Sequence, residues 1–133
     1  MKDMNYIKKR QIDILHKGKY KGYLFCIISL GTHPCAYVCL PKGHKYYQKS
    51  YDDIPIGCHY GLTFASDDFH FNPVYQPDVW WIGWDYAHAG DYMGYDIIFD
   101  KSLQLPEDKK WKTHEIFEEV KKVIEQLIIG NKQ

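Results

Sequence analysis

Two apolar runs separated by four residues place the first constraint on this chain. YLFCIISL (residues 23–30) and CAYVCL (35–40) are rich in β-formers, and Gly31, Thr32, His33 and Pro34 between them are turn residues. Strands this close in sequence pair as an antiparallel hairpin, because a parallel pair needs a crossover of a dozen or more residues. The first run reads as a central strand. Further strands attach to this nucleus. Ile12, Ile14 and His16 alternate with polar neighbours, which leans residues 6–16 towards a strand, and Gly18 and Gly22 bracket a turn at KYK. CHYGLTFA (58–65) alternates too, with His59, Gly61 and Thr63 on one face and Cys58, Tyr60, Leu62 and Phe64 on the other. Trp80, Trp81, Ile82 and Trp84 make an aromatic strand interrupted by Gly83, where a backbone or ligand can approach closely. A last strand is expected around Tyr95–Phe99.

Residues 113–129, THEIFEEVKKVIEQLII, have the helical period. Ile116, Val120, Val123, Ile124 and Leu127 form one stripe, Thr113 is placed as N-cap, Glu118 and Lys122 are spaced as an i,i+4 pair, and Gly130 is placed to end the helix. The expected fold is therefore a single α+β domain over residues 1–133: an antiparallel twisted sheet of about five or six strands, with the C-terminal amphipathic helix packed on one face. At 133 residues the chain buries a core without staples.

Charge and cysteine usage narrow the class. The formal net charge is zero, but residues 1–50 carry +8, residues 51–100 carry −9 and the remainder +1. The basic third either meets an anion or is neutralised by the acidic segment within the fold. No motif of a nucleic-acid-binding module accompanies it. Cys26, Cys35, Cys39 and Cys58 form no C-x2-C pair, so they read as buried free thiols in a reducing compartment. No apolar run reaches the roughly 18 residues of a membrane span, and the N-terminus lacks a signal core. A cytoplasmic location follows as the expectation.

Chemistry concentrates after the Trp strand, where Asp85, His88 and Asp91 arrive beside Gly90. Strand-end loops are common sites, since the strand holds what the loop presents. Three uses are open. His59, Asp85, His88 and Asp91 are side chains that bind divalent cations, as a metal-dependent hydrolase needs, whereas a metal-free reading has Asp85 and Asp91 capping backbone amides. His88 with Asp85 or Asp91 is a pair for acid/base work, with Ser29, Ser66 and Cys58 as nucleophiles by proximity. Binding without chemistry uses most of the composition, which is 17% aromatic with twelve Tyr and four Trp. In that reading Lys42, His44, Lys45 and Tyr51, from the long 41–57 connection with its expected short helix around Tyr46–Ser50, act as a lid and phosphate clamp. His59 and Thr63 form one wall, and Trp84, Asp85, His88 and Asp91 the other. Asp67, Asp68 and His70 are either surface turn residues or further metal ligands. No cofactor is expected beyond the divalent ion of the hydrolase alternative.

PKGH (41–44), YDD (51–53), H-x-G-L-T-F (59–64) and W-W-I-G-W-D-x-A-H-x-G-D (80–91), in this order, resemble a pattern in small uncharacterised proteins of phages, prophages and plasmids. That pattern often has Phe where this chain has Trp84. The resemblance covers roughly residues 37–95 and implies a mobile-element setting, with host-cell cytoplasm as the location. Its implied roles are an accessory enzyme, or a counter-defence protein that sequesters a nucleotide-type signal or inhibits a host protein by contact.

Overall fold

The structure is a computed structural model in which residues 12–69, 78–92 and 107–133 are described; His70 and the strand expected at Tyr95–Phe99 lie outside them. Its elements are β1 (Asp13–Tyr20), β2 (Tyr23–Ser29), β3 (Pro34–Pro41), β4 (Phe64–Ser66), β5 (Val79–Asp85) and α1 (Thr113–Asn131). The five strands make one antiparallel sheet in the order β1-β2-β3-β5-β4. The α+β expectation holds, and the hairpin nucleus is present as β2 and β3, with Phe25 opposite Val38 and Ile27 opposite Ala36.

The side-chain period of two divides the sheet into two covered faces. Ala36, Val38 and Leu40 of β3 and Ile82 and Trp84 of β5 join the helix stripe Ile116, Val120, Val123, Ile124 and Leu127 in the main core. Cys35 and Cys39 point the other way and pack with Cys26, Ile28, Phe69 and Trp81. Gly83 belongs to this second face. A Cβ there would lie 2.4 Å from the Tyr37 ring and 2.9 Å from the Ala36 carbonyl, so the close approach anticipated at Gly83 is made by its cross-strand neighbour Tyr37.

Several local expectations change. The β1–β2 turn is Lys21–Gly22, both at positive φ (47° and 88°), which matches the twist of a tight hairpin, and Gly18 lies inside β1. Residues 58–65 are not one strand. Tyr60 and Gly61 adopt left-handed backbone at φ 58° and 85°, which turns the chain and confines pairing to β4. The short helix expected near Tyr46–Ser50 is a series of turns, followed by a 3-10 turn at Tyr51–Asp53. Lys112, not Thr113, is the N-cap of α1, and the Glu115 carboxylate accepts its backbone N–H at 2.9 Å. The helix continues through Gly130 to Asn131, and Gly130 is buried against the Tyr46 hydroxyl. Glu118 pairs with Lys121 at 2.9 Å, one residue short of the expected Lys122. No helix among the described residues is long and apolar enough to cross a membrane.

Candidate functional site

The C-terminal end of β5 and the Cys58–Gly61 turn meet near the start of α1. Asp91 is the centre of this junction. Its backbone forms a parallel bridge to Lys109, through Lys109 N–H to the Gly90 carbonyl and Tyr92 N–H to the Lys109 carbonyl, both 2.8 Å. The residue is 5% exposed, so its carboxylate needs donors if burial is not to be prohibitive. It has them: His59 Nε2 donates to both oxygens (2.9 and 3.0 Å), Trp111 Nε1 donates at 2.8 Å, and the His88 backbone N–H at 3.0 Å.

His59 is held on several sides. Its ring stacks on Tyr86 at 4.7 Å with a 12° interplanar angle and meets Trp111 and Tyr60 at 5.1 and 4.9 Å. Tyr86 is itself immobilised by burial, by the Trp84 indole N–H at 3.1 Å and by a short hydrogen bond that its hydroxyl donates to Glu119. Burial, and next the Glu119 carboxylate, raise the Tyr86 phenol well above its ordinary value. Because Nε2–H is given to Asp91, the neutral His59 ring carries its acceptor lone pair on Nδ1. That atom takes no hydrogen bond among the described residues. The His59 side chain keeps 17% of its surface exposed.

His88 forms the second imidazole. Its ring lies 5.8 Å from that of His59 and stacks on Tyr60 at 4.3 Å and 15°. Its Nε2 is 3.0 Å from Asp85 Oδ1, an ion-pair distance, but the pair is misaligned for a hydrogen bond. The Asp85 oxygens instead accept from Ala87 N–H and from the Thr63 hydroxyl, both at 3.2 Å. Asp85 thus caps the Ala87 amide and Asp91 the His88 amide, two backbone groups near Gly90 of the kind the sequence reading had them cap, while both also face imidazoles.

His59, Thr63, Asp85, His88 and Asp91 are therefore together. Lys42, His44 and Tyr51 are not. Pro41 is opposite Val79 and Cys35 opposite Asp85, so the 42–51 connection leaves the sheet at the far end of β5, roughly 20 Å away by strand rise. His44 is a core histidine: its Nε2 bonds the Leu127 carbonyl at 3.2 Å, Tyr46 N–H donates to its Nδ1 at 3.0 Å, and it is 4% exposed. Lys42 and Tyr51 are exposed at that end. Trp84, 1% exposed, acts behind the site through Tyr86 and is not a contact surface.

Among the described residues no three His, Cys, Asp or Glu side chains converge as a metal cluster would require. Cys58 is a poor nucleophile, since burial, and next the charge of Glu119, push its thiol up to about 12. Sequence reasoning missed Tyr60, Tyr86 and Trp111. The Tyr60-Gly61 pair carried a turn signal hidden by the alternation around it, and Trp111 stood alone in a polar run. Trp111 also lines a cleft of about 360 Å³ with Leu15, Ser29, Pro34, Lys112 and Thr113. Compared with known proteins, the chain matches no family model, no curated protein and no solved structure.

Proposed function

We propose that the protein binds a small planar ligand of nucleotide type at the cluster of His59, Thr63, Asp85, His88 and Asp91, in the mobile-element setting implied by its motifs, where sequestering a signal would serve counter-defence. The observation that carries this reading is the pair of imidazoles 5.8 Å apart, each facing a carboxylate, with Tyr60 beside them 62% exposed. Tyr60 is also held at φ 58°, an unusual conformation for a large side chain and one that recurs at ligand sites. With the lysine-bearing loop at the other end of the sheet, the base and sugar portions of such a ligand are what this cluster would engage. Calorimetry against mono-, di- and cyclic nucleotides and their nucleosides tests the reading. Heat from wild type that disappears in Tyr60→Ala and His88→Ala supports it, and silence across the panel removes it.

A second reading, action by protein contact, is favoured by β1. This edge strand of the described sheet exposes Ile14 and Leu15 at 46% and 41%, and Ile12, just before it, is 46% exposed. Edges of this kind accept strands from other chains. Replacing Ile12 and Ile14 by Lys would abolish such a contact and leave ligand heats unchanged.

A further inference from the structure

We infer that His59 Nδ1 is the hydrogen-bond acceptor of the site, and that the part of the ligand it takes is an uncharged planar ring presenting an N–H or O–H. This rests on the ligand-site reading above and specifies its chemistry.

Three observations lead there. Asp91 takes the Nε2 proton with both oxygens, and its remaining donors, Trp111 Nε1 and His88 N, leave it no freedom to swing away. Stacking on Tyr86 and edge contacts from Trp111 and Tyr60 fix the ring plane, so Nδ1 has one direction in which to accept. That nitrogen has no hydrogen-bond partner among the described residues, and the side chain keeps 17% of its surface exposed. A preorganised acceptor pays little entropy on binding and rejects ligands that lack the matching donor.

Charge excludes the obvious alternative. Asp85 and Asp91 put two carboxylates in the cluster, and the ammonium that comes near, Lys109, lies 4.0 Å over the Trp111 ring and is paired with Glu115 at 3.1 Å. An anionic group at Nδ1 would meet like charge without a free cation among the described residues, which disfavours phosphate there. Tyr60 supplies the complementary surface, an exposed ring beside His59 on which a planar group can stack.

The test uses the full chain labelled with nitrogen-15 in histidine and four paired probes, uracil with its twin methylated on both ring nitrogens and phenol with anisole, together with inorganic phosphate. The inference expects uracil and phenol to move the His59 Nδ1 resonance. Their methylated twins should bind about tenfold more weakly or worse, which corresponds to about 1.4 kcal/mol, and phosphate should leave the resonance in place. Asp91→Asn tests the positioning role of Asp91. Turned with its NH2 towards Nε2, its amide gives up the hydrogen bond from Trp111 or His88 and moves the ring proton to Nδ1, and that reversal is visible as a tautomer change in the free protein independently of any ligand. Discrimination between each donor and its twin should then vanish.

Twins that bind as well as the donors, or phosphate shifting Nδ1, would overturn the acceptor assignment while leaving the ligand site standing. Failure of every probe to move His59, His88 or Tyr60 would remove both.

Discussion

At the scale of single residues, His44 and Gly83 carry constraints that their neighbours make measurable. His44 is fixed as a neutral ring, donating from Nε2 to the Leu127 carbonyl and accepting at Nδ1 from Tyr46 N–H. Protonation would set a second N–H against the Tyr46 amide. Burial accordingly lowers its pKa from the ordinary 6.5, with the Leu127 carbonyl opposing in part. A group whose folded pKa is depressed contributes stability that is complete above its unfolded value and is lost as pH falls towards the folded one. Resistance to urea should therefore weaken as pH drops below about 6.5, and His44→Gln should remove part of that slope; an unchanged slope in the variant would count against it. Gly83→Ala should cost about 1–3 kcal/mol, the range for overpacking a filled site, read as a lower urea midpoint at constant slope. Trp111→Phe keeps an aromatic ring, though a smaller one, and deletes one of the donors to buried Asp91. Its expected cost is about 1–2 kcal/mol, again by urea unfolding.

Among the elements, α1 shows what periodicity reveals and what it omits. The stripe read from the sequence is the stripe that packs, because an apolar repeat near 3.6 residues has one way to bury itself on a sheet. Ile124→Ala should accordingly cost about 2–4 kcal/mol, whereas Ile129→Ala, at a position 60% exposed, should stay within about 0.5 kcal/mol by the same denaturation assay. The ends of the helix were less legible. Backbone conformation selected Lys112 over Thr113 as cap, and the Tyr46 hydroxyl, distant in sequence, explains Gly130 better than helix termination does. The hairpin was readable because its pairing is local. Residues 58–65 were misread because alternation reports side-chain polarity and is blind to two successive left-handed residues.

Over the whole molecule, the sheet decides which sequence-distant groups meet. His59, Asp85, His88 and Asp91 were recognisable as residue types capable of chemistry, and the convergence of the two walls follows from β4 and β5 being paired. The supposed lid failed to join them because a connection leaving β3 at Pro41 exits at the wrong end of β5, a fact of register that composition does not encode. The same two-faced sheet protects the thiols. Burial raises Cys26 and Cys39 to about 11 and Cys35 and Cys58 to about 12, and all four are free. Ellman's reagent at neutral pH should react sluggishly with the native protein and titrate all four cysteines once urea is added; rapid native reaction would contradict the burial.

Trp111 has one further consequence. Its indole hydrogen-bonds Asp91 and touches the His59 ring, so its surroundings change when anything enters beside that ring. The protein thus contains its own optical gauge: the part of its emission that Trp111→Phe removes would report a ligand arriving beside His59, without any dye or label.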